Sequence, residues 1–247
     1  VFGGSDWCLP CRMLNQMVLK KPEFEEKVKQ QFVCVDIDDL ARGLDPDRKA
    51  RYADLQEQYH VGSFPSVILA TPDGLAYGWA THIPSKGTPD KFWDHIHPLI
   101  ARGKAFREGL DKSAKLTGIE KAKAMTEGMS QIRADLLWNF HADKIAELRK
   151  LDPSNSTGLV SYLDACKAVA DLENSLAQDY KVNPDVKVAH VDALVAKYRL
   201  KGELLQRAEI MKALISVVEN RPAEALAHLG KMIEEQDRRV VFDRGDF

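Results

Sequence analysis

The sequence contains no apolar run near the roughly 20 residues a membrane-spanning helix needs, so no span is expected in it. Neither sign of charge is in excess: 35 Lys and Arg stand against 37 Asp and Glu, and acids and bases are mixed along the chain. That removes the electrostatic ground for binding nucleic acid or an acidic membrane surface. Cysteine is scarce. Four in 247 residues are too few for a disulfide-stapled fold. The close pair Cys8 and Cys11 is accompanied by no second C-x-x-C and no H-x-x-x-H, so the four ligands of a zinc site are missing. His60, His82 and His141 stand alone, and His95 and His97 flank Ile96 so that a helix points them apart. Neither a metal nor a cofactor is therefore expected.

What is present suits a globular protein: 45% hydrophobic and 29% charged residues, which argues against disorder. The length allows one large domain or two ordinary ones. Over residues 1–99 strand and helix signals alternate. Val1-Phe2 reads as the tail of a strand, 11–31 as helix interrupted near Lys21-Pro22, 32–37 as a β-rich strand, and 48–59 as helix. Residues 65–70 read as a buried strand, Pro72-Asp73-Gly74 as a turn, and 75–80 as the returning strand. Thr88-Pro89 then opens a helix with Thr88 as N-cap. Alternation of this kind predicts an α/β layer structure.

Beyond about residue 101 helical periods take over. Ile119, Ala122, Met129 and Ile132 share one stripe, and Leu137, His141, Ile145 and Leu148 share another. Leu159, Tyr162, Cys166 and Val169 form a third, and Leu204, Ala208, Met211, Ile215 and Val218 a fourth. Residues 151–155 break the helices, and Asn220-Arg221-Pro222 restarts one that carries Leu226, Leu229 and Ile233. Each stripe must be buried against a neighbour, which predicts helical hairpins in a bundle or short solenoid. Segments 118–155 and 202–236 loosely resemble tetratricopeptide-type helix pairs without their signature aromatics or fixed period. The expected domains are 1–103, α/β with its first strand truncated, and 104–247, all-α.

The chemistry lies in Trp7-Cys8-Leu9-Pro10-Cys11, which follows a strand tail and opens a helix. Val61-Gly62-Ser63-Phe64-Pro65 runs into a buried strand further on. A cysteine in a helix's first turn faces N–H groups without intrahelical partners and the positive end of the dipole. Both favour thiolate, the reactive species. Cys8, at the edge, is the expected nucleophile. Cys11, one turn in, is placed to resolve a mixed disulfide.

The W-C-x-P-C motif, the strand ending in Asp36-Ile37-Asp38, the Tyr59-His60-Val61 approach, and Phe64-Pro65 ahead of a strand and an Asp-Gly turn together resemble the thioredoxin family over about the first hundred residues. The resemblance implies a thioredoxin-like fold, a cis proline at Pro65, and thiol–disulfide oxidoreductase activity through Cys8 and Cys11. Trp7, Pro10, Phe64 and Pro65 would then form the substrate surface. Its implied partners are a cysteine-containing protein substrate and an upstream redox protein.

Two positions depart from the family. The usual buried acid falls at Phe2 and the usual buried lysine at Cys34, which leaves open the group that takes the Cys11 proton; Asp6 is near but expected to be too exposed. Cys34 itself reads as a small core residue on a strand, and Cys166 as core on a helical stripe. Trp79 and Trp93 read as core, and Trp7 as partly exposed beside Cys8. The motif also resembles those of exported bacterial interchange proteins, which implies a periplasmic or otherwise exported location, with cytoplasmic as the alternative. The abrupt start at Val1-Phe2-Gly3-Gly4 leads us to expect that the natural N-terminus, with any targeting segment, lies outside this sequence. A different class of function is a partner-binding helical module carrying the α/β part as a platform.

Overall fold

The computed structural model describes residues 2–3, 7–37, 45–80, 88–178 and 183–237. Val1, Asp6, Asp38 and His82 lie outside them. Two compact units emerge, Val1–Asp152 and Pro153–Phe247.

The first unit is built on a four-stranded sheet in the order β2-β1-β3-β4. The strands are β1 (Phe2–Gly3), β2 (Asp36–Ile37), β3 (Ser66–Ala70) and β4 (Ala76–Ala80). β1 runs parallel to β2 and antiparallel to β3, with Gly3 opposite both Ile37 and Ser66. β3 and β4 form a hairpin. Its turn is tied by the Thr71 hydroxyl, which donates to Asp73 at 2.7 Å and accepts from the Leu75 N–H at 3.0 Å. Gly74 there has φ 85°, the left-handed region that glycine enters without steric cost.

Helix α1 (Leu9–Leu14) continues as a π-helical stretch, Asn15–Leu19, and stops before Pro22, where α2 (Pro22–Lys29) begins. α3 (Pro46–Gln58) is capped by Asp45, which accepts from Arg48 N–H. α4 (Pro89–Ser113) is capped by Thr88 and carries Pro in its first turn. Leu14, Val18, Phe24 and Val28 are buried, as are Phe92 and Ile96 of α4. The Phe24 and Phe92 rings meet at 5.7 Å.

The sequence reading differs from the structure at residues 32–35, which are not strand; only Asp36–Ile37 pair, with β1. Val33 is 91% exposed and Val35 40%, so the alternation that would bury one face of a longer strand is absent.

The expected boundary at residue 103 falls inside α4, and the structure divides the chain instead at Asp152–Pro153. Packing explains the shift. Helices α5 (Gly118–Met129), α6 (Ala134–Phe140) and α7 (Ala142–Leu151) belong with the sheet. Phe140 reaches Tyr59 at 6.4 Å and Trp79 at 6.2 Å, within the cluster centred on Tyr59, Ile68 and Ala76. His141 is fully enclosed, its Nε2–H donating to the Ala76 carbonyl at 2.6 Å and its ring 5.0 Å from Phe106. α4 and α5 cross closely: a Cβ on Gly128 would lie 2.8 Å from the Phe106 carbonyl, so glycine is what permits the approach.

The second unit contains α8 (Leu159–Gln178), α9 (Pro184–Tyr198), α10 (Gly202–Val218) and α11 (Pro222–Asp237). Its core comprises Ala165, Val169, Val191, Leu200, Ala208 and Met211. Cys166 is buried and donates its bulk to the apolar stripe on which the sequence places it. An ionic group ties α9, α10 and α11: Lys212 Nζ contacts Glu209 at 2.6 Å and Asp192 at 3.0 Å, and His228 Nδ1 meets Glu209 at 2.8 Å. Among the described residues no helix is long and apolar enough to cross a membrane.

Candidate active site

Cys8 occupies the N-cap of α1 with Pro10 in the first turn, where a missing N–H is harmless because those donors have no intrahelical acceptor. The backbone N–H of Cys11 donates to Cys8 Sγ at 3.2 Å. No acidic residue lies in the first turn of α1. Cys8 and Cys11 are joined as a disulfide. Both are buried, while Trp7 and Leu9 beside them are 65% and 58% exposed. The two sulfurs thus sit next to an exposed apolar surface.

Sheet register brings the second part of the site to the first. Gly3, at the end of β1, is paired with Ser66, at the start of β3. The end of β1 and the segment entering β3 through Pro65 therefore share one end of the sheet. Phe64 and Pro65 are joined by a cis peptide bond. The bend is held from beneath, where the buried Ser66 hydroxyl donates to the Ser63 carbonyl at 2.7 Å. Pro65 is buried, and Phe64 meets the Trp7 ring edge-on at 6.1 Å. Pro10 is exposed in the α1 turn.

Cys34 is not core, as its residue type and the β-rich stretch led us to expect. It is exposed, at the rim of a cavity of about 490 Å³ whose walls include Leu19, Phe24, Phe32 and Phe92. The reason is the missing strand at 32–35, which leaves the thiol no sheet face to occupy. Its contact with these apolar walls still pushes its pKa up, chiefly by desolvation, so it is a protonated thiol at neutral pH. The position at which the family has a buried lysine thus carries no cation. Phe2 lies in β1, and Asp6 falls outside the described residues. Trp79 and Trp93 are half-buried, each against a phenylalanine. Among the described residues there is no group of three or more His, Cys, Asp and Glu that could hold a metal ion.

Sequence reasoning missed the cover of β4. His141 falls on an apolar stripe, which marks it as buried, but the stripe does not name Ala76 as its partner, and Phe140, which packs on Tyr59 and Trp79, lies on none of the stripes.

Comparison with known proteins agrees with this geometry. Residues 1–93 match the family model of the thioredoxin-like domain. Among curated proteins the chain is 34% identical over 71 residues to the thioredoxin-related protein DsbJ of Chlamydia pneumoniae, covering 28% of this chain and 20% of the relative. It is 27% identical over 74 residues to the disulfide bond reductase DsbH of the same organism, covering 30% of this chain and 45% of the relative. The match thus spans less than half the length of either relative. No solved structure matches.

Proposed function

Residues 1–93 are a thioredoxin-like domain, and on that premise we propose that the protein is a thiol–disulfide oxidoreductase exchanging electrons with protein disulfides through Cys8 and Cys11. The observation that carries this reading is the Cys11 N–H pointing at Cys8 Sγ from the helix N-terminus, because a donor aimed at sulfur favours its thiolate. The names of the two relatives, one of them a disulfide bond reductase, support the same chemistry.

In the reducing direction, Cys8 thiolate attacks one sulfur of a substrate disulfide. A Cys8–substrate disulfide forms and the other substrate sulfur leaves as thiolate. Cys11, after losing its proton, attacks Cys8 Sγ, which closes the Cys8–Cys11 disulfide and releases the second substrate thiolate. Two electrons have passed to the substrate, and an upstream dithiol protein restores the pair by the reverse exchange. Trp7, Phe64, Pro10 and the backbone before Pro65 hold the substrate segment across the sulfurs. An exported, periplasmic setting fits this chemistry, because disulfide-bearing substrates accumulate in oxidising compartments.

The test is reduction of a model protein disulfide by a dithiol reductant. Wild-type protein should accelerate it and Cys8→Ser should abolish the acceleration. Cys11→Ser should accumulate partners as mixed disulfides on Cys8. An active Cys8→Ser protein would remove the proposal.

A further inference from the structure

The second unit leaves one side of its last hairpin bare. On α10, Ile210, Leu214 and Val217 are exposed at spacings of four and three; on α11, Leu226, Leu229 and Ile233 are exposed at three and four. Val218, at the end of α10, is 79% exposed. These stripes are placed one residue beyond the positions that face the other helix of the pair. Glu209, Ala213 and Ser216 are the buried positions before them on α10, and Ala225, His228 and Met232 the more buried ones on α11. Glu209 and His228 touch across the pair. In antiparallel helices a one-residue step from the contact line turns both stripes to the same side. They therefore form one apolar face. The other side of α10 is already used, since Leu204, Ala208, Met211 and Ile215 pack into the core with α8 and α9.

We propose that this face is a dimer interface, covered by the same face of a second copy of the chain. The six large aliphatic side chains of the two stripes, with Val218 at their flank, are mostly half or more exposed and together present apolar area on the order of 700 Å², above the ~300–600 Å² of the largest patch on a typical monomer and close to the ~800 Å² per partner of a standard interface. Spacings of three and four on both helices are those of knobs-into-holes packing. Two such hairpins related by a two-fold axis make a four-helix bundle, and each stripe then meets a stripe of its own kind. Between Ile210 and Val217 on α10 and between Leu226 and Ile233 on α11 no charged residue occupies a stripe position, the charged Glu203 and Arg207 lying nearer the start of α10, and the net charge of −2 offers little repulsion between copies. Gly230, in the α11 stripe, has open space where a Cβ would stand, which gives a facing helix room to approach. The proposal does not depend on the redox chemistry.

The experiment is sedimentation of the full chain across the micromolar range, in reducing buffer so that exposed Cys34 cannot link copies. Wild type should sediment with twice the mass of one chain, and its melting temperature should rise with concentration. Leu214→Lys with Leu226→Lys should weaken association on the order of 100-fold, the effect of losing buried anchor side chains, while circular dichroism stays that of wild type. Val218→Ser, a milder change at the most exposed position, should shift the equilibrium in the same direction even if the double variant folds poorly. A wild-type monomer throughout overturns the proposal. So does a dimer indifferent to all three substitutions, or a monomer that associates only when residues 238–247 are removed, which would make that segment the cover.

Discussion

Cys8 and Cys11 share a turn of helix but not an environment. Cys8 caps α1 and its sulfur accepts the Cys11 N–H, whereas Cys11 lies inside the turn and is 2% exposed. On the proposed function, Cys8 is then the attacking sulfur of the reduced pair. Limiting iodoacetamide followed by adduct mapping should place the label on Cys8 first. Preferential labelling of Cys11 would contradict the assignment. Cys34 provides an internal contrast: desolvation raises its pKa, so it should need more alkaline solution to react despite its exposure.

At the scale of elements, the junction between α6 and α7 is fastened to the sheet. His141 ends one helix and begins the other, and it fastens both to β4 through the Ala76 carbonyl. Among the described residues its Nδ1 has no hydrogen-bond partner, so the neutral ring with the proton on Nε2 is the form that fits. Burial lowers its pKa, with the Ala76 hydrogen bond acting in the opposite direction and nearby Lys144 adding to the lowering. The sign follows: a group whose folded pKa is depressed stabilises the fold fully above its unfolded value, about 6.5, and that stability is lost as pH falls through the folded pKa. The melting temperature should fall on acidification below about pH 6.5. His141→Gln, which keeps a donor for Ala76 but cannot take up a proton, should flatten that fall. An unchanged slope in the variant would assign the acid sensitivity to another group.

For the whole molecule, the compact units set where the chain can be divided. A chain ending at Asp152 retains Phe106, Phe140 and His141 and should fold and keep thiol–disulfide activity on a small model substrate. A chain ending at Gly103 loses all three. It uncovers Trp79 and the cluster around Tyr59 and cuts α4 where Gly103 lies against the Tyr77 ring. That shorter chain should melt at least 10 °C lower, since about 1 kcal/mol shifts a domain of this size by roughly 4 °C and several such contacts are lost. Circular dichroism melts of both fragments, with activity measured only on folded material, check this. Equal stability of the two would show that α5 to α7 are dispensable to the sheet.

The sequence by itself determined what local chemistry can determine. W-C-x-P-C between a strand tail and a helix placed Cys8 at the start of α1 and Cys11 one turn in, because a capping sulfur needs only its own turn. Lys21-Pro22, Thr88-Pro89 and Asn220-Arg221-Pro222 placed helix starts, because a proline's missing N–H and a capping side chain act within one turn. The tertiary structure alone decided what depends on a distant partner. The register of β1 with β3 brought Phe64 to Trp7. Residues 32–35 have β-type side chains, yet only Asp36–Ile37 pair with β1, since pairing requires a neighbour in register and not merely suitable residues. A helical stripe states that a face is apolar but not what covers it. His141 and Leu226 look alike in the sequence as members of such stripes. One is enclosed against β4 and the other is 69% exposed, because burial is a property of two surfaces and the sequence pattern describes one.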